Sequence, residues 1–595
     1  MDEKLLMRQL LFQKKTGFDV RMQRVKEIDK YLILILLLLF CIFQYGIEKI
    51  CGFTLYPDEF GYWSSAANVV GYDWSEVASL GSYYSFGYSL VLIPILKIFG
   101  GGVAAYKAAI AVNVCFVCIG IFLLMGILKR IFPHISNLKR IFISGMAAMY
   151  PPWIFYMQMT LAESLLMMLF VLICWLIICL IQKPNVMTAG LLAIALVYIY
   201  SVHMRTVGII IACLMMLVLW GLSNPAIRKQ LLLFLVVLFI ACVIVLVIKR
   251  NVVLQVFSYA DAETLAVNDY GSQWEKFRKI LSPDGVFQLL IAVTGKLFYL
   301  GLSSFGTFYW FLWWSARETF RLLKKIWQKR ECYVQNFLAA FLLLSVIGEV
   351  LISSIYMHGS VKIDCLLYGR YNEFLIPVLM VFGIAAMYRS RRLLYGLLMQ
   401  AALTGIMIPG LFYYIRKNNM EGIRGYFVTG ISYFLDKDNF EPKEYLITAW
   451  LVGIVLMTFA AVIVWVSKRI RGAAWVLILA IAMEIICAIR VSNDYTYQVN
   501  KNIYPDLLIA ETIESVGKPE DEIVYLNEGI YVFVSFQQMQ MPKRSIKVAS
   551  EEQLQQLESM GRFLITDSKS KYNEILKEQY DRQVISPTFH LYYNE

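Results

Sequence analysis

The segment Tyr56-Pro57-Asp58-Glu59-Phe60-Gly61-Tyr62 places two adjacent carboxylates just after the first long apolar stretch of the chain. A carboxylate at the edge of a membrane can accept a proton from an attacking hydroxyl group. Successive residues of a helix point about 100° apart, so at most one of the two acids faces a given site. Asp58 is the expected proton acceptor, with Glu59 orienting it or binding a metal; the plainer reading is two solvated loop charges. Glu163 opens a later apolar stretch near the same surface. An acid at that depth is costly and points to function, although a helix N-terminus also favours an acid through its dipole. His203 and His358 are candidates for metal or acid–base work, against the commoner role of a histidine as a structural hydrogen-bonding residue. Glu349 and Glu484 fall inside apolar stretches, where a transporter would place an ion site.

The elements that must carry these residues are membrane spans. Of the 595 residues 59% are hydrophobic and only 16% charged, and the mean hydropathy is +0.61. Apolar runs of about 20 residues, the length that crosses a bilayer, recur through most of the chain. The net charge of +12 comes from Lys and Arg crowded into short loops, as expected of loops facing the cytoplasm, and nucleic-acid binding is not expected. Most of the 11 cysteines lie within apolar runs, where Cys behaves as a small hydrophobe. Cys115-x-x-Cys118 has no second pair, which argues against a zinc site.

Residues 1–30 read as a basic cytoplasmic segment ahead of an uncleaved span over Tyr31–Ile50. A long aromatic outer loop follows over 51–103, with Leu90–Phe99 too short to span and expected in the interface. Further spans are expected near 104–128, 139–158, 160–181, 187–203, 206–222, 230–248, 303–320, 335–356, 371–388, 391–414, 444–467 and 473–490. A second outer loop, 249–302, includes an amphipathic segment over Val286–Leu300. With about thirteen spans and basic loops at Lys129-Arg130, Lys183, Arg228-Lys229, Arg321–Arg330, Arg389–Arg392 and Lys468–Arg471, the N-terminus faces the cytoplasm and the C-terminus the outside. From 491 to 595 apolar runs shorten, and strands (522–526, 531–536, 545–549, 562–566) alternate with helices (505–516, 551–560, 571–578). That pattern predicts a small α/β domain.

The Asp58-Glu59 pair, the stretch Tyr83-Tyr84-Ser85-Phe86-Gly87-Tyr88-Ser89-Leu90 and the end Phe99-Gly100 resemble the GT-C superfamily of membrane glycosyltransferases. The nearest subgroup is that of the protein O-mannosyltransferases and lipid A aminoarabinose transferases. Tyr150-Pro151-Pro152-Trp153 through Leu161-Ala162-Glu163-Ser164 is similar to that group's turn between the third and fourth spans. Met204-Arg205-Thr206-Val207-Gly208 is similar to its Arg-Pro turn, with Thr206 in place of Pro. Gly369-Arg370-Tyr371 through Pro377 is similar to its Arg-Tyr motif. The order of these motifs, covering most of the residues 31–490, carries the resemblance; the C-terminal domain resembles that of several members only loosely.

The resemblance implies that Asp58 is the base of an inverting displacement with a lipid-linked phosphate or pyrophosphate as leaving group. A cation should stabilise the charge developing there, and Arg205, Lys296 and Arg370 are the candidates. Arg205 snorkelling to headgroups and Lys296 edging an amphipathic helix are the plainer readings. Tyr62, Tyr83, Tyr84 and Tyr371 are candidates for substrate contact. Some relatives hold a divalent metal near such carboxylates, and Glu163 with Asp58 or Glu59 is the candidate set here. The expectation is therefore a polytopic α-helical membrane protein of GT-C type with a small extracytoplasmic α/β domain, resident in the plasma membrane. It would transfer a sugar from a polyprenyl-phosphate donor to an envelope glycan, a lipid-linked glycan or a protein. Flippase or transporter activity toward a lipid-linked glycan, and glycan polymerase or ligase activity, are the alternatives.

Overall fold

A computed structural model of the chain describes residues 30–53, 55–266, 270–436, 440–470, 472–528, 531–556 and 561–594. The basic segment expected over 1–30 lies, apart from Lys30, outside them. Among the described residues ten helices are long and apolar enough to cross a membrane, and a bent pair makes an eleventh candidate. The protein is a multi-pass membrane protein. Helices at the rim of the bundle turn large apolar side chains outward, as Leu232, Leu235 and Phe239 of the helix Arg228–Val256 do. Such a belt is stable against hydrocarbon and not against water.

Several expected spans take a different form, each for a local reason. The range 139–158 divides into Asn137–Ala148 and Pro151–Met157. Pro151 disfavours helical geometry at the residue before it, and Tyr150 is extended, with ψ 124°. The range 303–320 becomes Thr307–Trp327, whose second half carries Arg317, Glu318, Arg321, Lys324 and Lys325, and it is not among the ten. Conversely Pro283–Ser303, expected as an amphipathic part of the outer loop 249–302, is a 21-residue helix apolar enough to cross. The range 371–388 is the bent pair: Ile363–Glu373 and Ile376–Arg389 meet at 80°. Val186–Val202 has 17 residues, short for a span.

The first loop expected on the outer side, 51–103, carries three helices, Asp58–Val70, Ser75–Ser79 and Ser89–Phe99. Asp58 and Glu59 occupy the first turn of Asp58–Val70, where the helix dipole favours acids. Gly71 ends that helix at φ 96°, a conformation that a side chain disfavours. The helix is not lying in water: every residue from Glu59 to Ala67 is buried. Its loop is fastened to the bundle at Gly87, whose N–H donates to the Ser201 carbonyl at 2.7 Å while Tyr198 donates to the Gly87 carbonyl at 3.2 Å.

The last apolar run does not stop at 490. It continues as helical structure from Ala473 to Val516 through a π-helical turn at Asn493–Tyr497. It leads into a five-stranded sheet of order β2-β1-β3-β5-β4, where β1 is Ile523–Leu526, β2 Ile546–Ala549, β3 Phe563–Asp567, β4 Arg582–Ile585 and β5 Phe589–Tyr593. β1 pairs in parallel with β2 and β3, and β5 runs antiparallel to β3 and β4. The segment 531–536, expected as a strand, begins the helix Tyr531–Gln540 instead. Parallel neighbours need a crossover, and this helix is the one between β1 and β2. β4 and β5 were not expected. The sheet domain docks on the outer-loop helices: Trp74 Nε1 donates to the Pro542 carbonyl at 2.9 Å, and the Val548 N–H to Glu76 at 2.7 Å.

A Cβ added at Gly87 would lie 2.4 Å from the Val202 nitrogen and 2.5 Å from the Ser201 carbonyl carbon, both backbone atoms. Gly87→Ala is expected to destabilise the protein by about 1–3 kcal/mol, the usual cost of overpacking. Gly190→Ala, which meets nothing within 4 Å, is the control that keeps the wild-type melting temperature. Thermal unfolding of the purified protein in detergent compares the two.

Candidate active site

Four helix starts converge on one buried charge chain. Asp58 begins Asp58–Val70, Glu163 begins Glu163–Gln182, Arg205 sits in the turn that opens Val207–Ser223, and Arg370 begins Arg370–Glu373. Arg370 Nη2 donates to Asp58 Oδ2 at 2.6 Å, and its Nε donates to Glu163 Oε1 at 2.6 Å. Arg205 Nη2 reaches the same Glu163 oxygen at 3.3 Å. The four side chains therefore alternate in sign along one connected path. The Asp58 side chain is 14% exposed, whereas Arg370, Arg205 and Glu163 are at 3% or less. Two tyrosine rings floor the cations, Tyr56 at 4.4 Å from Arg370 and Tyr371 at 4.5 Å from Arg205.

Local chain geometry explains these positions. His203 is extended after the helix Val186–Val202, and its Nδ1 accepts from the Arg205 N–H at 3.3 Å. An accepting Nδ1 is unprotonated, so a neutral ring carries its proton on Nε2. Glu59 is turned the other way from Asp58. It is fully buried and its Oε2 accepts from the Tyr106 hydroxyl, the Thr160 N–H and the Thr160 hydroxyl at 2.5, 2.9 and 2.8 Å. The 100° step between neighbours decides this: one acid faces the site and the other ties its helix to the turn preceding Glu163.

The chain borders a cavity of about 650 Å3. Asp58, Arg205 and Arg370 line it, as do Tyr62, Tyr83, Tyr84, Tyr371 and His203. Arg205 Nε and Nη1, Glu163 Oε2 and the Tyr62 hydroxyl are buried with no hydrogen-bond partner among the described residues. The three donors and the one carboxylate acceptor are therefore open to a ligand or water that completes their bonding. Burial pushes the Tyr62 hydroxyl well above its usual range, so it stays a donor.

No family model matches the chain, and no curated protein matches it. Among solved structures, ArnT from Cupriavidus metallidurans in the apo state is similar with a TM-score of 0.53 and 13% identity, covering 95% of this chain and 98% of that one. The same protein bound to undecaprenyl phosphate is similar with a TM-score of 0.51 and 12% identity, over 95% and 98% of the two chains. The chain has the GT-C fold.

Other expected residues lie elsewhere in this GT-C fold. Lys296 is fully buried on Pro283–Ser303, donates to the Cys365 carbonyl at 3.3 Å and does not line the cavity. A helix expected at the membrane edge is instead packed into the bundle, which withdraws its lysine from the site. His358 also lies outside the cavity lining. Glu349 and Glu484 are buried in their helices, and Glu349 Oε1 and both Glu484 oxygens lack partners among the described residues.

The metal expected with Glu163 does not fit the donor set as arranged. Glu163 and Asp58 share one guanidinium, Glu59 faces away, and among the described residues no three His, Cys, Asp or Glu side chains converge as a metal set. Arg370 supplies the positive charge between the two acids.

Sequence reading missed Arg424, which lines the cavity and chelates Asp364 through its backbone N–H and Nε, both at 2.8 Å. It sits in a loop without a periodic signal; only its neighbours Tyr426 and Phe427 hinted at a packed segment. Glu373, three residues beyond Arg370, was also missed. It accepts hydroxyl donors from Tyr156, at 2.6 Å, and from Tyr299.

Removing Arg370 leaves two buried carboxylates without their shared cation. Arg370→Met is expected to cost about 3–5 kcal/mol of stability, the range for breaking a buried ion pair. Adding Glu163→Gln should recover part of the loss, and a double-mutant cycle on unfolding in detergent measures the recovery.

Proposed function

We propose that the protein is an inverting glycosyltransferase that moves a sugar from a polyprenyl-phosphate donor to an extracytoplasmic acceptor, which is an envelope glycan, a lipid-linked glycan or a protein. The observation that carries this reading is Asp58, held by Arg370 through Oδ2 and with Oδ1 free of hydrogen bonds among the described residues, at a cavity that Arg205 enters with unpaired donors. The undecaprenyl phosphate bound by ArnT, whose fold this chain shares, supports a lipid-phosphate partner.

In this reaction the acceptor hydroxyl approaches the anomeric carbon from the face opposite the phosphate. Asp58 takes the hydroxyl proton through its free oxygen as the new C–O bond forms. The bond from the anomeric carbon to the phosphate oxygen breaks, and its electron pair leaves with the polyprenyl phosphate. Arg205 is suited to stabilise that charge, because it lines the cavity, two of its nitrogens have no hydrogen-bond partner among the described residues, and bidentate guanidinium contacts match a phosphate. Arg370 acts as a positioning residue: both of its bonded nitrogens are committed to carboxylates. Tyr62, Tyr83, Tyr84 and Tyr371 would form walls for the sugar, and Arg424 adds a third cation to the rim. On this reading the cavity faces the extracytoplasmic side of the plasma membrane. No step needs a metal ion. Polymerase or ligase activity would use the same chemistry and differ in product length.

A flippase or transporter of a lipid-linked glycan is the second reading, favoured by the unpartnered carboxylate oxygens of Glu349 and Glu484 inside candidate spans. The two separate in proteoliposomes supplied with radiolabelled polyprenyl-phosphate sugars. Wild type is expected to consume a donor, and Asp58→Asn to lower kcat about 10²–10⁴-fold while the melting temperature is kept. Arg205→Gln should lower kcat as well, because the charge developing on the leaving phosphate loses its guanidinium. Full activity in Asp58→Asn would overturn the proposal. Translocation of the lipid without donor consumption, lost in Glu349→Gln or Glu484→Gln, would replace it with the transporter reading.

A further inference from the structure

A second cavity, of about 850 Å3, opens where three apolar helices meet: the end of Lys30–Ile47, the start of Gly102–Ile131 and the middle of the Ala473–Val516 run. It shares no lining residue with the first. Lys49, Lys107 and Lys501 line it, one from each element, against a single acid, Glu48. None of the three lysines forms a salt bridge among the described residues, and the nearby Asp494 is paired with Arg490 at 3.0 Å. The cavity is thus electropositive by composition.

The walls are held in place largely by Asn500. Asn500 Oδ1 accepts from the backbone N–H groups of Cys51 and Gly52 at 2.7 and 3.2 Å, and its Nδ2 donates to the Thr496 carbonyl at 2.9 Å. Lys49 Nζ lies 3.6 Å from the Tyr45 ring centre and 5.0 Å from that of Tyr497, so its ammonium is positioned by cation–π contact, while it makes no salt bridge among the described residues. Val103, in the first turn of the 30-residue helix Gly102–Ile131, lines the cavity too, so the positive end of that helix faces it. Apolar surface adjoins the charge. The helix Lys30–Ile47 exposes Ile33, Leu37 and Phe40, and Leu508 is exposed beside Leu507 of the lining.

We propose that this cavity binds the phosphate of an anionic lipid headgroup, with the acyl chains lying along the exposed apolar face of Lys30–Ile47. Three unpaired lysines from separate helices match a phosphate group, and basic pockets between membrane helices favour such headgroups. A lipid is favoured over free phosphate because apolar side chains are exposed on the helices that meet at the lysines, as at Ile33, Leu37, Phe40 and Leu508. The site has a path to the first cavity: Cys51 lines one and Asp58 the other, on a single short segment. A headgroup bound here braces the stretch that carries Asp58.

Native mass spectrometry of the full-length protein in detergent tests this with added phosphatidylglycerol, phosphatidylcholine and inorganic phosphate. Wild type is expected to retain one phosphatidylglycerol in preference to phosphatidylcholine. The triple change Lys49→Gln, Lys107→Gln, Lys501→Gln should weaken that retention at least about tenfold, with Lys49→Arg, Lys107→Arg, Lys501→Arg retaining it. If the glutamine set fails to fold, Lys107→Gln alone should give about a fivefold loss. Equal retention by wild type and the glutamine variant, or equal retention of the two lipids, would overturn the proposal. Displacement of phosphatidylglycerol by millimolar inorganic phosphate would overturn the lipid assignment in favour of a free-phosphate site.

Discussion

One guanidinium organises the buried charge chain of this molecule. Arg370 bonds to Asp58 with one nitrogen and to Glu163 with another, each at 2.6 Å, while almost fully buried. Three charges taken out of water at one point are tolerable only when they pair in good geometry. The requirement ties residues 58, 163, 205 and 370 into a single arrangement, and the elements that bear them must meet where it forms. The bend of 80° between Ile363–Glu373 and Ile376–Arg389, the extended turn at His203 and the Glu59–Thr160 hydrogen bonds all serve that meeting.

The chain divides its two neighbouring acids between the cavity and construction. Asp58 keeps one oxygen free of hydrogen bonds among the described residues at the cavity, and Glu59 spends its own on Tyr106 and Thr160. The two arginines divide in the same way: Arg370 is committed to carboxylates, while Arg205 has donors to spare. A site in which every polar group were satisfied would be more stable and less able to take a charged ligand, since a ligand gains most from donors that the fold leaves unpaired. Beside the cavity, the unspent atoms of Arg205, Tyr62 and Glu163 are where this fold departs from full satisfaction among the described residues.

The region between the first two long helices is also more integrated than a set of surface loops. The helix Asp58–Val70 is buried from Glu59 to Ala67, and the sheet domain is fastened to Trp74 and Glu76. Packing of this kind holds a side chain in place at little further entropic cost.

Much of this protein could be read from its residues alone. Apolar runs of span length, basic loops and a change of composition near residue 491 indicated a many-span membrane bundle with an α/β end domain, and motifs resembling those of the GT-C superfamily singled out Asp58, Arg205, Arg370 and Tyr371, which do line one cavity. Those signals are local: hydropathy and motif order depend on neighbours in sequence. Partner choice is not local. Whether Glu59 faced the site, whether Lys296 reached it, and that Arg424 belonged to its rim depended on contacts across tens to hundreds of residues. Span boundaries failed where a proline, a bend or a tertiary contact outweighed hydropathy, as at Pro151 and over 283–303. Composition determined that this chain crosses a membrane many times and carries charge at its edges. Only the packed structure decided which of those charges meet, because a buried charge is stable only beside the particular partner that three-dimensional packing brings to it.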